Sequence, residues 1–217
     1  MVLYSVLFFI SSILWLIWIR FYGGKLSGKG LFAVFAAGVI SGPIAGSLTY
    51  FLRNLFQIQS GSSIAGNFFL FFLIVGPVEE LAKFLAGFIA SYQRRDFQSS
   101  ADGILISVAV ALGFAAGENV VYLNLYGVEA TVLRLIFTNI AHVVFSVIWG
   151  YALGVVFHES APMSFLISAL AAGSILHGAY NFFLMLHPLS AFIILPALIP
   201  AIYFAVQFLQ KENRRNR

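Results

Sequence analysis

Apolar residues run along the chain in seven long blocks, separated by short polar or glycine- and proline-containing stretches. The blocks lie roughly at Val2–Ile19, Leu31–Leu52, Ala65–Tyr92, Gly103–Leu125, Val132–Phe157, Met163–Leu186 and Leu189–Leu209. Each is close to the ~20 residues that an α-helix needs to cross the hydrocarbon core of a bilayer. A bilayer satisfies no backbone polar group, so a spanning segment must be a helix or part of a closed barrel, and no barrel pattern is present. The pattern predicts an all-α, polytopic transmembrane helical bundle of about seven spans, forming one integral membrane domain over residues 1–217. The last two blocks are separated only by His187-Pro188, which predicts a tight helical hairpin. No internal repeat is visible.

Composition excludes the soluble alternatives. Apolar residues make up 61% and charged residues 9%, against about 45–50% and about 25% in a soluble domain. Twenty-four phenylalanines exclude a disordered chain. Cysteine is absent, which removes thiolate nucleophiles and cysteine-ligated metals. The first block lacks a basic start and a small-residue cleavage site, so it is read as a span and not as a signal peptide. With seven spans, Arg20, Lys25, Lys29, Arg94, Arg95, Lys211, Arg214, Arg215 and Arg217 fall on one side, and only Arg53 and Arg134 on the other. The positive-inside rule then sets the N-terminus outside and the C-terminus inside a cell membrane. Trp15, Trp18 and Tyr22 fall where an inner aromatic belt is expected. The basic tail reads as a topology signal and an anchor for anionic lipid at the inner face, and no nucleic-acid partner is expected. Gly38, Gly42 and Gly46, Gly113 and Gly117, and Gly150 and Gly154 recur every four residues, the spacing that lets helices approach closely.

The chemistry lies in polar residues placed where hydrocarbon should be. Glu79, Glu80 and Lys83 fall in the third block, Glu118 and Asn119 in the fourth, Asn139 and His142 in the fifth, and His177 and Asn181 in the sixth. Each ionised group at mid-span costs roughly 2.5–3.5 kcal/mol, so the four charged ones cost about 10–14 kcal/mol before pairing. The four-residue spacing of Glu79 and Lys83 allows an ion pair, and His177 and Asn181 share a face in the same way. At ~1.5 Å per residue, Glu118, His142 and His177 lie within about 6 Å of the midplane and Asn181 about 9 Å out, all towards the external side. Taken together they read as one polar layer. Asn119 and Asn139 read as helix-to-helix hydrogen-bond glue.

Several chemistries are excluded. No Gly-x-Ser-x-Gly turn exists, both aspartates (Asp96 and Asp102) sit near the inner boundary, and His-Glu-x-x-His is absent. Carboxylate and imidazole without a protein nucleophile suit water activation, either by a desolvated glutamate as general base or through a bound metal. A proton- or ion-coupled transporter is the competing reading, because intramembrane Glu, Lys and His also build relays.

Gly76-Pro77-Val78-Glu79-Glu80-Leu81-Ala82-Lys83, Gly113-Phe114-Ala115-Ala116-Gly117-Glu118-Asn119, His142, and His177-Gly178-Ala179-Tyr180-Asn181 together resemble the PrsW family of membrane proteases. That family is distantly similar to the CAAX prenyl endopeptidase and bacteriocin-processing superfamily. The resemblance covers about residues 70–185. It implies an endopeptidase that cuts a single-span membrane protein on the external side, as in site-1 cleavage of an anti-sigma factor. It implies Glu79, Glu80, Glu118, His142, His177 and Asn181 as catalytic, with Lys83 and Asn119 supporting. The superfamily's CAAX enzymes carry His at the second motif where this chain has Glu118. Two mechanisms therefore stay open. In one, Glu79 or Glu80 is the general base with His142 and His177 orienting and stabilising, His177 and Asn181 serving the oxyanion. In the other, Glu118, His142 and His177 hold a zinc ion and Glu80 takes a proton from its water. Against the transporter, the protease reading predicts that Glu80→Ala abolishes cleavage and leaves the protein folded and inserted.

Overall fold

The computed structural model describes residues 2–58, 61, 63–131, 134–187, 200 and 202–211. Helix α1 (Val2–Arg20) leads to α2 (Gly28–Leu55). A continuous helical run follows, composed of α3 (Ile64–Phe69), a π-helical turn (Leu70–Val75) and α4 (Gly76–Ser91). Then come α5 (Ser100–Thr131), α6 (Arg134–His158) and α7 (Met163–Leu186), and residues 202–211 are also helical. Among the described residues there is no strand. Helices α1, α2, α5, α6 and α7 are long and apolar enough to cross a membrane. The third predicted span is helical throughout residues 64–91, with three charged residues inside it. Most of the predicted Leu189–Leu209 span, its hairpin and the tail beyond residue 211 lie outside the described residues.

The molecule is apolar on the outside. Leu14, Phe32, Ile89, Ile167 and Phe204 are all exposed by more than half, a surface that fits acyl chains and not water. The centre is α5, buried at every position over residues 100–117. It packs against α2, α6, α1 and α4. Small residues set those distances. A methyl group on Gly113 would overlap the Phe35 carbonyl of α2, and one on Gly38 would overlap the Val110 carbonyl of α5. Gly46 has open space beside it and takes no part. At Gly127, with φ +80°, α5 leaves helical geometry, close to where the predicted span ends.

Asp102, fully buried in the first turn of α5, anchors one end of the bundle. It accepts from the backbone N–H groups of Lys25, Leu26 (3.0 Å) and Gln98 (3.0 Å) and from the Ser99 hydroxyl (2.9 Å). The Asp102 N–H returns a bond to Ser99, a reciprocal cap of the helix start. Nearby, Arg94 reaches both carboxylate oxygens of Asp96 at 2.9 Å, and Asp96 also accepts from the Ser27 N–H. The Arg94 guanidinium holds the Asp96 carboxyl well below the usual carboxylate range.

The π turn follows from Pro77. Proline has no N–H, and its ring would collide with the carbonyl four residues earlier. A wider turn before it relieves the clash, and the Gly76 N–H bonds to Phe71, five residues back.

Candidate active site

The π turn and Gly76 also bring α4 against α7. A methyl group on Gly178 would lie 2.6 Å from the Phe71 carbonyl, and one on Gly76 would overlap the Ser174 carbonyl. The two backbones therefore touch, and Glu79 and Glu80 arrive beside His177.

Glu80 is fully buried and its carboxylate is saturated. One oxygen, Oε1, accepts from Lys83 Nζ at 2.6 Å and pairs with His177 Nδ1 at 2.9 Å. The other, Oε2, accepts from the Ser146 hydroxyl at 2.9 Å and the Trp149 indole N–H at 2.9 Å. A carboxylate offers about four lone-pair positions, and here four donors fill them. Spacing alone suggested Glu79 as the partner of Lys83; in the structure the close ion pair is with Glu80, three residues earlier.

From Lys83 the network continues outward. Its ammonium, fully buried, lies 2.7 Å from His142 Nδ1 and 4.6 Å from the centre of the Phe114 ring. His142 Nε2 lies 3.0 Å from Glu118 Oε2. Glu118 forms the rim, its side chain 19% exposed. The two imidazoles meet edge to face at 5.1 Å, and Phe145 stacks on His177 at 5.0 Å.

Glu79 takes the other side of the imidazole, its Oε2 3.5 Å from His177 Nε2. One donor atom each from Glu79, His142 and His177 lies within 4.8 Å of the others, and all three residues are buried. That is a set of two histidines and a carboxylate, a composition suited to a catalytic zinc.

Six of the predicted residues are therefore together: Glu79, Glu80, Lys83, Glu118, His142 and His177. Asn119, the last residue of the second motif, is buried. Asn181, one turn after His177, is half-buried and joins none of the hydrogen bonds just described. Asn139 lies apart, bonded to Ser11 and Ser12 of α1 at 3.2 and 3.3 Å, the helix-to-helix role expected of it. Ser146 and Trp149 were not anticipated. They lie four and seven residues after His142, on the same face of α6, and that spacing was their only signal.

The model of the PrsW family of intramembrane metalloproteases matches residues 28–209. The chain belongs to the PrsW family. It is thereby a peptidase and a multi-pass membrane protein, and the transporter reading is not favoured. Helix α1 precedes the family match, which begins at the first residue of α2. Among relatives named Protease PrsW, that of Shouchella clausii (strain KSM-K16) is 39% identical over 114 residues, 52% of this chain and 53% of its own length. That of Bacillus subtilis (strain 168) is 32% identical over 153 residues, 70% of each chain. That of Oceanobacillus iheyensis is 30% identical over 159 residues, 73% of this chain and 74% of its own. The PrsW match to the first relative thus spans about half of that protein's length. No solved structure matches the chain significantly.

Proposed function

We propose that this chain is a membrane-embedded endopeptidase that hydrolyses a peptide bond in a single-span membrane protein, with Glu79 as the carboxylate at the reacting position and Glu80 as its structural support. The observation that carries the reading is the opposed pair of Glu79 Oε2 and His177 Nε2, 3.5 Å apart. Glu80, as a carboxylate, only accepts, so His177 Nδ1 carries a proton, and in the neutral imidazole Nε2 presents a lone pair. Two acceptors facing each other in a buried site are reconciled by a cation between them.

Charge supports the same reading. Three buried or half-buried carboxylates (Glu79, Glu80 and Glu118) stand against the single ammonium of Lys83, leaving two negative charges, the complement of one divalent ion. The residues present thus fit the metal that the family description implies, and Glu79, His142 and His177 would hold it. The sequence-derived set had Glu118 in the place of Glu79. A divalent cation such as zinc, when bound, supplies a Lewis acid that polarises the scissile carbonyl and activates water. The chain's own residues do the remainder. Glu80 fixes His177 and Lys83, Glu118 orients His142, and Glu79, through the oxygen not turned to the metal, would receive a proton from the attacking water. Asn181, a turn beyond His177, donates to the developing oxyanion.

The full topology belongs to the same proposal: seven spans with the N-terminus outside place the polar layer in the outer half of the bilayer. A substrate of the anti-sigma-factor type is then cut on the external side, while anionic lipid meets the basic inner loops.

The test is cleavage of a co-reconstituted single-span substrate in liposomes. Glu79→Gln should lower the rate by about 10²–10⁴-fold while leaving the unfolding temperature near that of the parent. Cutting by Glu79→Gln at the parent rate would overturn the assignment.

A further inference from the structure

We infer that Ser146 and Trp149 are positioning residues, which set the tautomer and aim of His177 through the carboxylate of Glu80. This rests on the reading of His177 as part of the active site and adds two residues to it that touch neither substrate nor metal.

Ser146 and Trp149 are both fully buried on α6. An apolar helix has two reasons to exclude them, a hydroxyl and an indole N–H that must each find a partner. Both find the same atom, Glu80 Oε2, at 2.9 Å. Their effect is directional. They occupy Oε2 from the α6 side, so the remaining oxygen, Oε1, turns towards Lys83 and His177. The bond from Oε1 to Nδ1 then leaves His177 Nε2 pointing at Glu79. Without donors on Oε2, the Glu80 carboxylate rotates to share its oxygens among fewer partners, and the proton on His177 is free to move to Nε2.

Packing supports the same role. Phe84, one residue after Lys83, meets the Trp149 ring edge to face at 5.6 Å, which fixes the indole N–H in the direction of Glu80. Phe145, one residue before Ser146, stacks on the His177 ring at 5.0 Å and fixes its plane. Helix α6 therefore holds His177 twice, once by its ring face and once through Glu80. A carboxylate that orients an imidazole this way typically changes metal affinity by 10–100-fold when lost.

The experiment compares the full-length parent with Ser146→Ala, Trp149→Phe, the double variant and Ser146→Thr, each in the same detergent. Histidine labelled with ¹⁵N reports the imidazole tautomer directly at one fixed pH, the His177 signals being assigned by their loss in His177→Gln. The parent should show His177 protonated on Nδ1, and the double variant a mixture of tautomers. Zinc ions, titrated against a chromophoric chelator, should bind the double variant 10–100-fold more weakly. In the cleavage assay kcat should fall with KM within twofold. Ser146→Thr, which keeps the hydroxyl, should match the parent on all three. A double variant, or both single variants should the double not fold, with parental tautomer and zinc affinity would overturn the inference. Failure of the parent to bind zinc or cut substrate would strike the endopeptidase reading instead, and the tautomer measurement would still decide this one.

Discussion

Lys83 places its ammonium 2.7 Å from the Nδ1 of His142, a residue fifty-nine positions later in the chain. The ammonium donates, so the other imidazole nitrogen carries the proton and donates to Glu118 at 3.0 Å. Both nitrogens of His142 are thereby committed, and His142 joins a metal only by releasing one partner. Together with Glu80 and His177 this forms an unbroken polar chain across α7, α4, α6 and α5.

Lys83 and Glu80 should be strongly coupled. Removing one partner of a buried pair costs about 3–5 kcal/mol, because the other charge is left uncompensated. Lys83→Met and Glu80→Ala should each lower stability in that range. Lys83→Met with Glu80→Ala should lose clearly less than the two single changes combined. Denaturant unfolding in mixed micelles measures this, and strict additivity would contradict it. The expectation that Glu80→Ala leaves the fold intact is revised here, since four donors lose their acceptor with it.

Metal removal should stop cleavage without unfolding the bundle, because the apolar contacts around α5 do not depend on the site. A chelator such as phenanthroline should abolish product formation, and added zinc should restore it. Unchanged activity in metal-free protein, verified by elemental analysis, would count against the metal.

Asp102→Ala should destabilise the fold by at least about 2 kcal/mol, since several buried N–H groups lose their acceptor at once. The site lies elsewhere on α5, so the folded fraction should retain its specific activity. A thermal melt combined with the cleavage assay checks both halves.

Asp96 gives a pH-dependent term of known sign. Its folded carboxyl is held below the ordinary value near 3.9 by Arg94. The stabilisation is therefore complete at neutral pH and disappears as pH falls below about 4 towards the folded value. The parent should melt higher than Asp96→Asn from pH 7 to 5, with the gap closing in acid. A gap that widens in acid would show the opposite sign. The pair is partly exposed, so the difference should be small and reduced by salt.

Much of this was legible in the chain. Among the described residues the first six apolar blocks recur as helices with boundaries shifted by a few residues, because length and hydropathy dominate in lipid. The charged and imidazole residues stood out because their cost in hydrocarbon demands a reason. Which glutamate does what was not legible. Glu79 and Glu80 differ by one residue, and only the neighbours each meets after that rotation separate the saturated carboxylate on His177 Nδ1 from the one facing His177 Nε2. Ser146 and Trp149 were hidden for a related reason: a serine and a tryptophan carry no insertion penalty large enough to be conspicuous. Pro77 signalled a disturbed helix, and the chain answers with a wider turn and not a break.

That wider turn carries a mechanical consequence. Leu70–Val75 stores one surplus residue upstream of Glu79, and each residue of a helix advances its facing by about 100°. Were the same residues wound as an ordinary α-helix, the surplus one would swing both acids by about 100° away from α7, with every side chain of the site still present in the sequence. The facing of Glu79 and Glu80 is thus set by how six apolar residues are wound, in a stretch that contains no chemistry at all.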